Sequence, residues 1–117
     1  MDFDLAPEQH ELIRTLRDFV DDIVRPNAER WDHEHELPLD VVKQMGDLGL
    51  FGLPYPEEYG GSGGDFLTLC LAIEELARAD SSLAITLEAA VGLGSMPLYR
   101  FGTAEQKRRW LPPLATC

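Results

Sequence analysis

Residues 56–65 read PEEYGGSGGD, with four glycines in the five positions 60–64. Backbone N–H groups of such a loop can close around a phosphate where a strand leads into a helix. The same composition also lets a chain reverse tightly between two helices. The role of this loop therefore decides between an α/β nucleotide-binding fold and an all-α fold.

The loop matches neither of the common phosphate-binding patterns. A Gly-x-Gly-x-x-Gly pattern read from Gly61 would need a glycine at Phe66, and read from Gly60 it has Ser62 in the second glycine position. A P-loop needs Lys followed by Ser or Thr after its last glycine, but Asp65 stands there, and its charge would repel a phosphate. We predict a structural turn, with Asp65 as the N-cap of the next helix.

Apolar residues repeat at helical spacing on both sides of the loop, and no strand-like alternation occurs. The segments with this spacing are residues 5–24, 26–31, 39–48, 66–79, 81–95 and 103 onward. Pro26 predicts that the first helix ends near Arg25 or restarts there, and Pro112 predicts the end of the last. Asp80 and Thr103 are predicted N-caps. We expect one all-α domain over residues 1–117, a bundle of five to six helices.

Composition excludes several classes of function. With 10 basic and 21 acidic residues the net charge is −11, which disfavours nucleic acid as a partner. The basic run at residues 107–109 is interpreted as a solvated face or a subunit contact. No apolar run approaches roughly 20 residues, so no membrane span is expected. The first residues lack a signal or transit pattern, which predicts a cytoplasmic protein, and Cys70 and Cys117 do not have disulfide or metal-knuckle spacing.

No catalytic or metal-binding constellation is visible from the residues alone. His33 and His35 are two apart, whereas the helical zinc motif needs histidines four apart, so no metal site is predicted. Serines 62, 81, 82 and 95 have no recognisable histidine partner. Glu74, Glu75 and Glu88 are expected on the polar sides of their helices, which argues against a buried general base.

A resemblance to a known family covers essentially the whole chain. Three segments, PEEYGGSGGDF, LTLCLAIEELARADSSLAIT and GSMPLYRFGTAEQKRRWLPPLA, closely resemble the N-terminal helical domain of the acyl-CoA dehydrogenases. Two earlier segments, LAPEQHELIRTLRDFVDDIVRPNAERWD and LPLDVVKQMGDLGLFGL, fit the same family in order and spacing.

The resemblance implies an FAD-dependent oxidoreductase of fatty acid metabolism that converts an acyl-CoA to the trans-2-enoyl-CoA. It also implies electron-transfer flavoprotein as acceptor and a homotetramer. In the family the FAD-binding β domain and the helical domain with the catalytic glutamate follow the region that this chain resembles. We therefore expect no catalytic residue here, no FAD binding by this chain alone, and no activity of the chain by itself. The alternative is a stand-alone helical interaction module derived from the same domain.

The resemblance also implies a contribution to the acyl pocket. In the family the helix before the Gly-x-Met-Pro element helps to line the acyl-chain cavity, and the matching positions are Thr86, Ala89, Ala90 and Leu93. The competing interpretation of these four residues is ordinary helix packing. Polar residues are more familiar in this part of the family. We therefore expect the small side chains of Ala89 and Ala90 to leave room for a longer or bulkier acyl group.

Overall fold

The computed structural model describes residues 3–117, which contain helices and no strand. The α-helices are α1 (Pro7–Phe19), α2 (Arg25–Glu34), α3 (Leu39–Asp47), α4 (Phe66–Ala77), α5 (Ser81–Glu88), α6 (Met96–Phe101) and α7 (Ala104–Thr116). Two π-helical segments, Val20–Val24 and Ala89–Ser95, join α1 to α2 and α5 to α6. Short 3₁₀ turns occupy Leu50–Gly52 and Glu57–Tyr59. The chain thus forms five continuous helical rods, and the all-α prediction is confirmed.

The first rod runs through Pro26 without a break, where the sequence predicted an end or a restart. The N–H of Arg25 bonds to the carbonyl of Val20, five residues back, so the turn before the proline is wider than an α-helical turn. A proline ring clashes with the carbonyl four residues back in a regular α-helix. Widening this turn lets the helix continue past the proline.

The spacing of the buried residues gives a second reason for the wide turn. Leu16, Val20 and Val24 are all buried and lie four residues apart. Each step of four overshoots a turn of 3.6 residues by about 40°, so a regular α-helix would rotate such a series away from the core. A π-helical turn takes more residues and keeps the series on the buried side.

The last helix also continues through its prolines, so the prediction that Pro112 ends it was wrong. Helix α7 contains Pro112 and Pro113 and extends to Thr116. The prolines leave the carbonyls of Arg108 and Arg109 without their usual donors, but both residues are exposed to water. The hydroxyl of Thr116 donates to the carbonyl of Pro112 at 2.9 Å, which supports the last turn.

The predicted helix starts are confirmed. The carboxylate of Asp65 accepts from the N–H of Thr68 at 2.8 Å, and that of Asp80 accepts from the N–H of Leu83 at 2.9 Å. Thr103 and Gln106 form a reciprocal capping box. These caps satisfy backbone donors that would otherwise be unpaired at each helix start.

One core joins all five rods. Helix α1 packs on α4, α4 packs on α5, and α7 packs against the two 3₁₀ turns. The largest fully buried side chains are Tyr55, Leu16, Met45, Leu50, Leu69, Leu76, Leu83, Leu87 and Leu111. In α4 the apolar residues Phe66, Cys70 and Ala77 face solvent, and Glu75, which was expected on the polar side, is buried.

The molecule is flat, with principal extents of 43 × 37 × 21 Å. A helix with its side chains is about 10–12 Å across, so the shortest dimension holds only two layers of helices. The helical stretch Ser81–Phe101 has the length and mean hydropathy, 1.2, of a membrane-crossing helix, with 28% of the 18-residue window buried. Core helices of other proteins pass the same test, which makes this weak evidence for a span. The sequence analysis expected no apolar run of about 20 residues, and this 21-residue helical stretch corrects that expectation.

Candidate functional site

The four residues predicted to contact an acyl chain lie together on one helical rod. Thr86 is in the last turn of α5, and Ala89, Ala90 and Leu93 are in the following π segment. Thr86 and Ala89 are half-buried, Ala90 is exposed, and Leu93 is 73% exposed. The buried residues of the same stretch are Leu83, Ala84, Leu87, Val91 and Ser95. Their helical positions place Thr86, Ala89, Ala90 and Leu93 on the opposite side of the rod from these buried residues. We call the surface formed by these four residues the outer wall.

The π segment Ala89–Ser95, which carries three of the outer-wall residues, has the same two causes as the segment Val20–Val24: a following proline and a buried series at steps of four. Its N–H from Met96 bonds to the carbonyl of Val91, five residues back, and Pro97 follows directly. Leu83, Leu87 and Val91 are buried at steps of four, and Ser95 continues the series. The wide turn accommodates the proline and keeps this series facing the core.

Two buried hydroxyl groups meet beneath the outer wall. Tyr55 is fully buried and Ser95 is 1% exposed, and their oxygens are 2.6 Å apart. The Tyr55 hydroxyl also lies 3.3 Å from the carbonyl of Val91, and the Ser95 hydroxyl lies 3.2 Å from that of Ala90. Burial raises the pKa of the Tyr55 phenol above its ordinary value, with the hydrogen bond to Ser95 acting in the opposite direction. Tyr55 therefore remains a protonated donor.

The glycine loop holds Tyr55 from the other side. The N–H of Gly63 donates to the carbonyl of Tyr55 at 2.8 Å. Gly61 lies so close that a β-carbon there would overlap the same carbonyl. The ring of Tyr55 packs edge-on against Tyr99 of α6, with centroids 5.2 Å apart. The loop, the tyrosine and the outer-wall helix therefore form one connected unit.

All five backbone amides of residues 60–64 donate within the domain. Their acceptors are the carbonyls of Glu57, Pro56, Gly52, Tyr55 and Leu53. A phosphate-binding loop needs several amides free to point at the anion. The loop is thus a structural turn, as the sequence analysis predicted. The described residues offer no cradle for the phosphates of a flavin dinucleotide at this loop.

The outer wall is suited to apolar contact. None of its four side chains titrates, so the wall can pack against a hydrocarbon and exclude water but cannot move a proton. The neighbouring Glu88 is exposed, and its carboxylate lies beside Gly92, where an added β-carbon would be 2.8 Å from Oε1. The outer wall lines neither cavity described below.

Two cavities of the described structure lie away from the outer wall. One of about 550 Å³ lies between the end of α2 and the corner joining α4 to α5, and is lined in part by Asp32, His35, Glu36 and Asp80. One of about 390 Å³ lies between the start of α1, the end of α3 and the glycine loop. Within residues 3–117 no group of three His, Cys, Asp or Glu side chains is placed to hold a metal ion.

The sequence analysis did not anticipate the burial of Glu75. Its carboxylate is 2.6 Å from Nη2 of Arg17 and 2.9 Å from Nη1 of Arg78. The hydrogen bond from Arg17 lowers the pKa of Glu75 the most, and burial acts in the opposite direction. A carboxylate held ionised by two cations is a structural ion pair and a poor general base at neutral pH.

Tyr55 and Ser95 were also missed as parts of one site. Only their contact in space joins them, since they are 40 residues apart in the chain. The one available signal was the step of four through Leu83, Leu87, Val91 and Ser95, which puts a serine in a buried series.

The chain was compared with known protein families and with individual known proteins. The model of the acyl-CoA dehydrogenase N-terminal domain matches residues 6–117. A probable acyl-CoA dehydrogenase of Bacillus subtilis, YngJ, is 47% identical over 116 residues, which cover 99% of this chain and 30% of that protein.

Solved structures agree with the sequence matches. The butyryl-CoA dehydrogenase of Megasphaera elsdenii superimposes with a TM-score of 0.94 at 37% identity, over 99% of this chain and 31% of that one. An acyl-CoA dehydrogenase of Bacillus anthracis in complex with FAD gives a TM-score of 0.87 at 41% identity, over 97% of this chain and 19% of that one. The chain thus spans about 30% of the length of YngJ and of the Megasphaera enzyme.

Proposed function

Because the chain belongs to the acyl-CoA dehydrogenase family, we propose that it supplies one wall of the acyl-binding cavity in an enzyme that oxidises acyl-CoA to trans-2-enoyl-CoA. The observation that carries this proposal is the outer wall. Three of its four side chains are apolar, all four lie on the side of the rod away from the buried residues, and the resemblance to the family implies acyl-chain contact at these positions.

In this proposal the outer wall binds the acyl chain and excludes water from it. The methyl groups of Ala89 and Ala90 and the side chain of Leu93 can pack against a hydrocarbon, while the Thr86 hydroxyl donates to the carbonyl of Ser82; burial of each methylene contributes about 0.8 kcal/mol. None of the four outer-wall side chains can take the α proton, so we assign that step to a glutamate elsewhere in the whole enzyme. A bound FAD would supply the acceptor for the hydride of the β carbon, and we assign the residues that hold it to other parts of the enzyme.

Electron-transfer flavoprotein is the acceptor that we propose, and a homotetramer the assembly. Both proposals rest on what is usual in the family to which the chain belongs. We also propose that the isolated 117 residues are inactive, because they contain no proton-abstracting residue at the outer wall.

The test is to capture the protein from its native source with an antibody against this chain. A yellow, flavin-absorbing species several-fold larger than 13.1 kDa that converts an acyl-CoA to its enoyl product would support the proposal. A colourless species of 13.1 kDa without this activity would refute it.

The exposed apolar residues favour one second candidate, a stand-alone interaction module. Ile85, Leu93 and Phe101 are 64%, 73% and 88% exposed, and contiguous apolar surface usually marks an interface. Size-exclusion chromatography separates the two candidates. A discrete monomer or a defined complex with another protein favours the module, whereas concentration-dependent aggregation of the isolated chain favours the enzyme domain.

A further inference from the structure

The hydroxyl pair of Tyr55 and Ser95 acts on the backbone of the outer wall. The acceptors within reach are the carbonyl of Ala90, itself an outer-wall residue, and that of Val91, the next peptide. Both carbonyls lie inside the π segment that carries Ala89, Ala90 and Leu93. A change in either hydroxyl bond therefore reaches the outer wall without passing through another side chain.

The two hydroxyls can be arranged in more than one way so that both donate, since Ser95 also lies 3.4 Å from the carbonyl of Val91; two arrangements use the shorter contacts. In one, Tyr55 donates to Ser95 and Ser95 donates to the carbonyl of Ala90. In the other, Ser95 donates to Tyr55 and Tyr55 donates to the carbonyl of Val91. Each arrangement leaves no buried hydroxyl hydrogen unpaired, which is the condition for a stable buried polar pair.

The other π segment shows what a purely local support looks like. There the side-chain amide of Asn27 donates to the carbonyl of Ile23 at 2.8 Å, from within the same rod. The second segment instead receives Tyr55 from the connection between α3 and α4, 36 residues before Val91. The proline and the step of four explain the wide turn in both segments. Within residues 3–117, only the second segment accepts a side-chain hydrogen bond from a distant part of the chain.

Resting on the function proposed above, we propose that Tyr55 and Ser95 are positioning residues that set the shape of the outer wall and thereby the acyl-chain length that the enzyme prefers. They touch the backbone of Ala90 and Val91 rather than the substrate. Without their hydrogen bonds the π segment relaxes, and Ala89 and Leu93 move relative to the acyl chain.

The test uses Tyr55→Phe, Ser95→Ala and the double variant of the whole natural protein that contains this chain. The readout is kcat/KM for short, medium and long saturated acyl-CoA thioesters. We expect the ratio of long-chain to short-chain kcat/KM to change by roughly tenfold, the size of effect that one methylene of pocket space has. The double variant should change the ratio about as much as one single variant, because the two hydroxyls share the same bonds.

Tyr59→Phe is the matched control. Its ring also packs against Tyr99, with centroids 6.3 Å apart, and its hydroxyl forms no hydrogen bond within residues 3–117. It should leave the ratio unchanged. General destabilisation lowers the amount of active enzyme for every substrate alike, so it cannot alter a ratio. Ser95→Ala removes a single oxygen and keeps the packing, which provides a readable variant even if Tyr55→Phe folds poorly.

Two negative results have different meanings. If the wild-type protein oxidises acyl-CoA but both variants keep its chain-length ratio, the positioning role is overturned and the proposed function stands. If the wild-type protein oxidises no acyl-CoA, the proposed function falls and the positioning role falls with it.

The supporting result has two parts. The amides of residues 89–96 should exchange hydrogen faster in Tyr55→Phe and Ser95→Ala than in Tyr59→Phe, and the ratio of long-chain to short-chain kcat/KM should change.

Discussion

Glu75 shows how one buried side chain can tie two helices together. It lies on α4, and Arg17 of α1 reaches it with two nitrogens, at 2.6 and 3.3 Å. Arg78, the residue that follows α4, adds a third bond. The glutamate side chain is only 8% exposed, whereas both arginines remain about half exposed. The arginines therefore keep much of their hydration while the carboxylate is fully hydrogen-bonded.

Glu75→Gln is expected to lower the free energy of unfolding by about 1–3 kcal/mol, because a buried carboxylate with two charged donors is replaced by a neutral amide. Urea unfolding measures the change. Glu34→Gln is the control, since Glu34 forms an exposed pair with Arg30 and should cost no more than about 0.5 kcal/mol. Equal effects of the two substitutions would show that burial of Glu75 adds nothing.

The same ion pair predicts a pH dependence. The pKa of Glu75 is lowered in the folded state, first by Arg17. Its contribution is therefore complete above the ordinary glutamate pKa of about 4.3 and is lost as pH falls through the lower folded value. The stability difference between wild type and Glu75→Gln should stay constant from pH 7 to about 5 and shrink below about 4. A difference that grows on acidification would contradict this assignment.

Ala89→Leu in the whole enzyme should lower kcat/KM for long acyl-CoA substrates more than for short ones. The larger side chain fills space on the outer wall, and a short chain does not need all of that space. The control is Ala77→Leu, an exposed alanine on α4. An equal loss for long and short substrates would refute the assignment of Ala89 to the acyl cavity.

Helix periodicity predicted which segments are helical but not that the helical rods continue past their prolines. Proline is read as a break because it lacks an N–H and clashes with the preceding turn. Around Pro26 and Pro97 the chain widens one turn instead, and the signal for this is a buried series at steps of four. The partners of the buried Ser95 and Glu75 could not be predicted, because Tyr55 and Arg17 approach them from distant parts of the chain.

The glycine loop makes a prediction of its own. Gly61→Ala should cost about 3 kcal/mol or more, since the new β-carbon would overlap the carbonyl of Tyr55 and lie 2.6 Å from that of Gly52. Gly63→Ala meets no atom within 4 Å and pays only for a φ of +70°, about 1–2 kcal/mol. Urea unfolding of both variants measures the contrast, and a larger loss at Gly63 would contradict the close approach at Gly61.

A molecule two helices thick has large faces relative to its volume. The rod of α5 and α6 contributes Leu83 and Leu87 to the core, while Ile85, Leu93 and Phe101 remain largely exposed. Burial of this outer side would add to the stability of any assembly that covers it. The exposure of these apolar side chains therefore follows from the thinness of the molecule, which leaves one side of the α5–α6 rod without a covering layer.

The isolated chain is expected to self-associate in a concentration-dependent way through this side. Salt should strengthen the association, because the net charge of −11 repels copies of the chain and salt screens that repulsion. Sedimentation velocity of Ile85→Gln and Leu93→Gln should show weaker association. Leu37→Gln, at a residue that is 50% exposed between α2 and α3, is the control. Association that weakens with salt would point to electrostatic contacts instead.

The inward-facing amides of the glycine loop have a consequence for chain cleavage. Exposed loops rich in small residues are the usual sites of proteolytic nicking, because the backbone there can leave the fold and enter a protease cleft. In this loop five consecutive amides would have to give up their acceptors first. A segment that looks in sequence like the most vulnerable point of the chain is thereby protected by its own backbone.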